Sequence, residues 1–245
     1  MAHGGGATRP VAFADLPASR PAPDMARGIF VTGTDTGVGK TVASVALLRG
    51  LVACGRRAVG MKPVSAGIEA GADVNADVAA LDEAGNVDAP LAERNPFAFV
   101  PAIAPHVAAA RAGVAIDLDR IASAYARLAA RADAVVVEGA GGPLVPIGAH
   151  HDMLDVAGRL RLPVVLVVGV RLGCLNHALA AELAIRARGL ELAGWIANRI
   201  DPGMPAAAES VASLAQRLPA PCVADFAWGE SVPPDARALA RLGLA

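Results

Sequence analysis

The chain contains few cysteines, no excess of charge of either sign and no long apolar run. Its three cysteines, Cys54, Cys174 and Cys222, are an odd number without a Cys-x-x-Cys spacing. This arrangement supports neither a disulfide framework nor a zinc site. Free thiols are typical of a reducing compartment, so we expect a cytoplasmic location.

The charge balance and the apolar runs exclude two further classes of protein. A formal net charge of −1 over 245 residues argues against a dedicated nucleic-acid-binding protein, which needs a basic excess to displace counterions. The longest apolar run, residues 162–170, has about half the length of a membrane-spanning helix. The first residues lack the apolar core of a signal peptide. We therefore expect small-molecule partners, and neither nucleic acid nor a membrane.

The domain organisation predicted from the sequence is simple. Residues 1–27 are rich in Gly, Ala and Pro without apolar periodicity, so they are interpreted as a disordered leader. Residues 28–245 are predicted to form a single domain, because one large α/β domain of this size is common. The proline-containing stretch 90–105 is interpreted as an ordered loop or lid on that domain.

From residue 28 onward, short apolar segments alternate with helical patterns. The apolar segments are continuous rather than alternating, which is typical of strands buried on both faces of a parallel sheet. They lie at residues 29–32, 58–61, 134–137, 164–168 and 192–197. This order predicts a doubly wound, mainly parallel sheet with helices on both faces and ligands at the carboxyl ends of its strands.

The strongest motif runs from residue 33 to 41, GTDTGVGKT, between an apolar strand and a helix. Gly37 and Gly39 allow the backbone to turn so that its N–H groups converge on phosphate oxygens at the positive end of the helix. Lys40 is predicted to reach the terminal phosphates and Thr41 to offer its hydroxyl to Mg²⁺. The usual G-x-x-x-x-G-K-T spacing has a glycine where this chain has Thr34. The motif predicts nucleotide binding and specifies no reaction.

Three charged residues outside the loop narrow the chemistry. Lys62 follows the second strand, where it would either offset charge on a transferring phosphoryl group or point into water. Asp77 opens a helix, where carboxylates are favoured by the dipole alone. Glu138 directly follows the strand 134–137, the position of a Walker-B-type metal ligand. The glycines after it would let the backbone approach phosphate.

Two later segments offer weaker signals. The helix that begins at Gly173-Cys174-Leu175-Asn176 could bind an anion through its free N–H groups, or be capped by water. Asn198 ends another strand, where its amide would either read adenine or form a turn.

Together these segments resemble the dethiobiotin synthetase family, in order and over nearly the whole chain after residue 28. The matching stretches are GTDTGVGKT at 33–41, KPV at 62–64, NPF at 95–97, APH at 104–106, EGAGG at 138–142, VGV and LGC at 168–174, and AGWIAN at 193–198.

The resemblance implies an ATP- and Mg²⁺-dependent ring closure in biotin biosynthesis. One amine of 7,8-diaminopelargonate takes up CO₂ to form a carbamate, and the carbamate oxygen attacks the γ-phosphate of ATP. The second amine then displaces phosphate from the resulting carbamic–phosphoric anhydride, which leaves dethiobiotin and ADP. The family is homodimeric, with the substrate carboxylate held at the interface.

The resemblance also assigns the site residues. It implies that Lys40 and Lys62 stabilise the carbamate and the phosphoryl group, and that Thr41, Asp77 and Glu138 form the Mg²⁺ site. The implied nucleotide contacts are Thr36, Gly37, Val38, Gly39, Lys40, Thr41, Val42, Asp77, Glu138, Gly139, Ala140, Gly141, Asn198, Arg199, Ala227, Trp228 and Gly229. The implied substrate contacts are Lys62, Ser65 and, from the partner subunit's helix, Gly173, Cys174, Leu175 and Asn176.

The chain differs from the family at two places and leaves two rival functions. Ser65 stands one place before the serine of many members, and Gly37 replaces an acidic residue of some. A corrinoid amidotransferase would carry a glutaminase domain, for which this chain is too short. A partitioning ATPase typically has a signature lysine at the position of Asp35.

Overall fold

The computed structural model describes residues 27–244. Its strands are β1 (Arg27–Gly33), β2 (Ala58–Met61), β3 (Val64–Ala66), β4 (Phe97–Phe99), β5 (Ala134–Glu138), β6 (Val164–Val170), β7 (Leu192–Arg199) and β8 (Cys222–Phe226). Its helices are α1 (Lys40–Ala53), α2 (Ala76–Ala84), α3 (Leu91–Arg94), α4 (Pro105–Arg111), α5 (Leu118–Ala129), α6 (Met153–Leu160), α7 (Cys174–Ala187), α8 (Ala207–Arg217) and α9 (Ala236–Arg241).

Six of these strands form a parallel sheet in the order β2-β5-β1-β6-β7-β8. From the central strand β1 the chain passes to the edge strand β2, returns to place β5 between β2 and β1, and then adds β6, β7 and β8 in turn on the other side of β1. This order, with helical crossovers, confirms the predicted doubly wound α/β fold. The five predicted strands are all present.

Successive side chains along each strand point to opposite faces of the sheet, so the hydrophobic core is divided between the two faces. Ile29 and Val31 of β1 pack with α1, α2 and α9, whereas Phe30 between them packs with α5 and α6. On the second half of the sheet, α7 and α8 cover the face that Trp195 of β7 points to. Both faces are therefore buried, which explains why the strands are continuous apolar runs.

The structure adds elements that the sequence did not predict. The stretch 90–105, interpreted as a loop, contains α3 and β4 and ends at the start of α4. Strand β4 pairs with β3 in a separate two-stranded parallel sheet. Strands of three residues carry too little periodicity to be recognised without their partner. Strand β8 has five residues and was also not predicted, because as a partly exposed edge strand it lacks a continuous apolar run.

Two further predictions concern the leader and membrane-spanning helices. Strand β1 begins at Arg27, and the rest of the predicted leader, residues 1–26, lies outside the described residues. Among residues 27–244, no helix is both long enough and apolar enough to span a bilayer.

Candidate active site

The loop between β1 and α1 is held over the carboxyl ends of the central strands. The Thr34 N–H donates to the Val167 carbonyl of β6 at 2.9 Å. Gly37 and Gly39 have φ angles of 74° and 88°, in the left-handed region that side chains disfavour. Gly39 directly precedes α1, so the N–H groups of the first helical turn face the concave side of the loop.

Lys40 begins α1 and folds back over this loop. It is buried, and its Nζ donates to the Asp35 carbonyl at 3.0 Å. Burial lowers the pKa of Lys40 to about 8, and the nearby Lys62 ammonium adds to this effect. The carboxylates of Glu138, Asp77 and Asp35 act in the opposite direction. Lys40 is thus a buried cation whose charge a triphosphate would stabilise.

Lys62, Asp77, Glu138 and Thr41 form one contact cluster beside the loop. Lys62 Nζ lies 2.7 Å from Asp77 Oδ2 and 2.5 Å from Glu138 Oε1. Thr41 Oγ1 lies 2.8 Å from Asp77 Oδ1 and 3.0 Å from Glu138 Oε1. The structure therefore brings together residues from α1, α2, β5 and the segment after β2, at the edge of the sheet where ligands of this fold bind.

The charges of this cluster stabilise one another. Burial works against the charge of Lys62, but the carboxylates of Glu138 and Asp77 outweigh it and raise the Lys62 pKa. Burial likewise opposes ionisation of Asp77, yet the ammonium and the hydrogen bond of Lys62 lower the Asp77 pKa. The cluster is accordingly an ionised lysine between two carboxylates.

The donor set fits a magnesium ion. One hydroxyl and two carboxylates converge, and Mg²⁺ prefers such oxygen ligands. Glu138 Oε2 is buried, and no other residue in the described part of the chain gives it a hydrogen bond. Within residues 27–244, no third carboxylate, histidine or cysteine completes a cluster. Phosphate oxygens and water would supply the remaining ligands, as is usual for Mg²⁺.

Two asparagines, for which no role was predicted, hold the charged residues in place. Asn75 caps α2 by accepting from the Asp77 N–H at 3.0 Å, and it donates to the Gly67 carbonyl at 2.6 Å. Asn95 donates to the Lys62 carbonyl at 2.6 Å and accepts from the Ser65 hydroxyl at 2.9 Å. Ser65 is 1% exposed, so its hydroxyl is engaged inside the protein, and its contact with substrate stays a prediction.

The glycine-rich segment after Glu138 packs against the phosphate-binding loop. The Gly139 N–H donates to the Val31 carbonyl at 2.9 Å, and Ala140 N–H donates to Met153 Sδ at 3.2 Å. A Cβ built on Gly141 would lie 3.4 Å from the Thr36 hydroxyl. Side chains at this segment would therefore narrow the space above the loop.

The other predicted nucleotide contacts lie on α1 and at the ends of β7 and β8, where Asn198 pairs with Phe226. Asn198 is buried, and its Nδ2 donates to the Val38 carbonyl of the phosphate-binding loop at 2.9 Å. Arg199 forms a bidentate ion pair with Asp225 of β8, at 3.0 and 2.8 Å. Val42, on the outer face of α1, is partly exposed. The segment 227–229 follows β8 and includes Trp228, whose side chain is 59% exposed.

The predicted anion site at α7 lies at the carboxyl end of β6. Gly173 caps the helix with a φ angle of 93°, Cys174 is buried, and Asn176 is exposed. Just before it, Arg171 pairs with Asp35 of the phosphate-binding loop at 2.8 Å. The loop that precedes α7 is thereby linked to the phosphate-binding loop of the same chain.

A parallel sheet, a glycine loop ahead of α1, a buried lysine and a hydroxyl–carboxylate cluster define a P-loop nucleotide-binding protein. In agreement, the AAA domain family matches residues 27–235. The chain is 50% identical over 218 residues to the ATP-dependent dethiobiotin synthetase BioD of Nitrosospira multiformis, covering 89% of this chain and 95% of that protein. The chain belongs to the ATP-dependent dethiobiotin synthetase family.

Further relatives have the same printed name. The protein of Aromatoleum aromaticum is 52% identical over 197 residues, or 80% of this chain and 88% of its own. That of Xanthomonas oryzae pv. oryzae is 49% identical over 214 residues, or 86% of this chain and 94% of its own. Because the sequences agree over most of both chains, membership of the family does not depend on any single motif.

Solved structures with low sequence identity share the fold alone. The cell division protein FtsY of Thermotoga maritima superposes with a TM-score of 0.51 at 18% identity, covering 91% of this chain and 70% of that one. A chain of the MinC:MinD cell division protein complex of Aquifex aeolicus gives a TM-score of 0.51 at 15% identity, covering 89% and 85%.

Proposed function

We propose that this chain closes the ureido ring of dethiobiotin from 7,8-diaminopelargonate, CO₂ and ATP, releasing ADP and phosphate. The observation that carries the proposal is the convergence of Lys40, Lys62, Thr41, Asp77 and Glu138 beside a phosphate-binding loop, in a chain of this family. Such a site can position a triphosphate and offset the charge that develops as its terminal phosphoryl group moves.

The bonds change in three steps. An amine of the substrate attacks CO₂ and loses a proton, which gives a carbamate. A carbamate oxygen then attacks the γ-phosphorus, and the bond from that phosphorus to the β-phosphate oxygen breaks, releasing ADP. Finally the second amine attacks the carbonyl carbon and loses a proton, the bond from that carbon to the phosphate oxygen breaks, and phosphate leaves as the ring closes.

The two lysines act by electrostatics and not by covalent chemistry. Lys40 would exchange the Asp35 carbonyl for phosphate oxygens when ATP binds, because an ionised partner gives the stronger hydrogen bond. Lys62, whose backbone is fixed by Asn95, would bring its ammonium to the carbamate and the γ-phosphoryl group. Both cations then face the region where negative charge accumulates in the transition state.

Magnesium is part of the proposal on the same grounds. Lys40 and Lys62 carry two positive charges and Asp77 and Glu138 two negative ones, so the four side chains offer no net charge to a triphosphate. When bound by Thr41, Asp77 and Glu138, Mg²⁺ would neutralise phosphate oxygens as a Lewis acid. The Lys62 ammonium, which contacts both carboxylates here, would then be released from part of its pairing and be available to substrate.

We further propose a homodimer in the cytoplasm, with residues 28–245 as one domain. In support of a dimer, Leu172 is 89% exposed directly before the α7 cap, and a large apolar side chain at such a place favours a protein contact. A partner subunit's Gly173–Asn176 segment at this face would supply helix N–H groups for the substrate carboxylate. In support of a reducing compartment, Cys54, Cys174 and Cys222 are all unpaired.

The test is phosphate release and product formation with ATP, Mg²⁺, bicarbonate and the diamine. We expect phosphate release to depend on the diamine and dethiobiotin to appear in the same amount. An analogue lacking one amine should give no ring product. If the rate of phosphate release does not depend on the diamine and no dethiobiotin forms, the proposal is wrong and the protein is a switch ATPase.

A pair of variants assigns the role of Lys62. Lys62→Ala should lose turnover, since it removes a cation from the reacting groups. Arg57→Ala removes a cation that is paired with Asp133. Since Arg57 directly precedes β2, at the opposite end of the sheet from the site, this variant should retain full turnover. Full turnover in Lys62→Ala would remove this lysine from the mechanism.

A further inference from the structure

Arg94, the last residue of α3, connects the two segments that carry Lys62 and Asp77. Its carbonyl accepts from the Lys62 N–H at 2.8 Å, which fixes the backbone from which the Lys62 ammonium extends. Its guanidinium forms an ion pair with Asp82 of α2, the helix whose first turn carries Asp77. Lys62 and Asp77 are themselves paired at 2.7 Å. Arg94 is therefore linked to one partner through its backbone and to the helix of the other through its side chain.

The ion pair between Arg94 and Asp82 lies at a cavity between two helices. Helices α2 and α3 both line this cavity of about 460 Å³, α2 with Val78 and α3 with Leu91. Arg94 and Asp82 belong to the same walls, so their ion pair joins the helices beside a space that apolar side chains do not fill. The Arg94 side chain is 14% exposed, and its Nε also donates to the Ala89 carbonyl at 2.9 Å. The guanidinium is thus held in one place, and α2 is held to it.

Helix α3 is anchored on its other side by the residue before Arg94. Glu93 is buried and accepts from Arg127 Nε of α5 at 3.0 Å. Arg131 Nη1, just after α5, lies 3.5 Å from Glu93 Oε2. A buried carboxylate is costly to separate from its cations, so α3 is the fixed support. Helix α2 is then the element that would move if the Arg94 guanidinium were removed.

We infer that Arg94 is a positioning residue for the divalent ion, acting through Asp82 and α2 on the Asp77 carboxylate. This inference rests on the proposed Mg²⁺ site of Thr41, Asp77 and Glu138, and it adds a residue outside that donor set. Mg²⁺ demands near-ideal octahedral geometry with ligands at about 2.0–2.1 Å. A small displacement of one carboxylate therefore weakens the binding of the ion.

The contribution of the ion is measured without turnover, with β,γ-imido-ATP as the probe. Calorimetry gives the dissociation constant of this analogue in EDTA and in Mg²⁺, and the first divided by the second is the magnesium ratio. Arg94→Met keeps the length of the side chain and removes the guanidinium, and Asp82→Ala removes its partner. Each should lower the magnesium ratio about tenfold, the lower end of the range for residues that orient metal ligands. A merely structural role would change both dissociation constants alike and leave the ratio unchanged.

The double variant Arg94→Met/Asp82→Ala tests whether the two residues act as one pair. If they do, it should lower the magnesium ratio no further than either single variant. Independent effects would multiply to about a hundredfold loss, which overturns the inference. The Asp82 side chain is 49% exposed, and ion pairs with an exposed partner contribute little to stability. Asp82→Ala should therefore fold even if Arg94→Met does not.

Arg159→Met is the matched control. Arg159 of α6 donates to Asp119 of α5 from Nε and Nη2, at 2.9 and 2.7 Å. This variant therefore also removes an ion pair between an arginine and an aspartate of two helices. Neither helix carries a residue of the proposed metal site, so the magnesium ratio should equal that of the unmodified chain.

Asp77→Asn separates failure of the inference from failure of the proposed site. If Asp77→Asn leaves the magnesium ratio unchanged, Asp77 does not bind the ion, and the site and the inference are both wrong. If Asp77→Asn lowers the ratio while Arg94→Met and Asp82→Ala do not, the site stands and the role of Arg94 is wrong.

Discussion

Replacing Lys62 by methionine removes the cation from the buried cluster while keeping a side chain of similar length. In the nucleotide-free protein this leaves Glu138 without its ionised partner. Glu138 is 0% exposed and one of its oxygens already has no hydrogen-bond partner among the described residues. The variant therefore tests whether Lys62 is the counter-ion of this carboxylate.

The expected cost follows from burial. Removing one partner of a buried ion pair typically destabilises a protein by about 3–5 kcal/mol. The side chain of Asp77, the second carboxylate, is 39% exposed and can be solvated by water. The loss of unfolding free energy therefore arises mainly from the unpaired charge of Glu138. Thr41 still reaches Glu138 Oε1. We therefore expect the lower end of the range, about 3 kcal/mol of unfolding free energy.

The assay is chemical unfolding without nucleotide or divalent ion, followed by titration with Mg²⁺. Lys62→Met should unfold at lower denaturant concentration. The double variant Lys62→Met/Glu138→Gln should recover most of the loss, because its buried amide carries no charge. Mg²⁺ should stabilise Lys62→Met more than the unmodified chain, since its carboxylates have no internal cation to compete with the ion.

Lys62 is not the counter-ion of Glu138 if Lys62→Met is as stable as the unmodified chain, or if the double variant is less stable than the single one. Arg57→Met serves as the control for loss of an exposed ion pair. Its partner Asp133 is accessible to water, and such pairs contribute little. Its unfolding curve should lie close to that of the unmodified chain.

Three further predictions concern the loop and its support. Folding lowers the pKa of Lys40 from 10.5 to about 8. Between these two pH values Lys40 is protonated in the unfolded chain and deprotonated in the folded, nucleotide-free chain. Lys40 therefore makes the free energy of unfolding rise with pH in this range. ATP binding needs the ammonium, so affinity should fall above pH 8, by up to about tenfold per pH unit. Calorimetry in two buffers should detect proton uptake, and binding without uptake at pH 9 contradicts the assignment. Gly39→Ala should abolish tight tripolyphosphate binding, because its Cβ would lie 2.0 Å from Asn198 Nδ2; calorimetry showing retained affinity would mean that the loop moves freely. Ser65→Ala should lower the unfolding free energy by about 1–2 kcal/mol, since the buried Asn95 Oδ1 loses its donor; a changed KM for the diamine without loss of stability would instead indicate direct substrate contact.

Local patterns were sufficient for the fold class and for the phosphate-binding loop. Strands such as 134–137 and 164–168 are continuous apolar runs because both faces of the sheet are covered, and the glycines of the loop meet a local requirement of backbone geometry. These features depend on neighbours in sequence. Strand β4, within the stretch 90–105, is not predictable from local patterns because it depends on pairing with β3, some thirty residues away in the sequence.

The order of apolar runs and helical patterns is sufficient to show which residues end the strands of a doubly wound sheet, and hence that Lys62, Glu138 and Asn198 lie at one edge. It does not show which side chains are in contact. Only the folded chain shows that Lys62 contacts both carboxylates, that the Ser65 hydroxyl donates to Asn95, and that the Asn198 amide donates to the Val38 carbonyl. Charge pairing and hydrogen bonding act over a few ångströms in space, between residues that are far apart in the sequence.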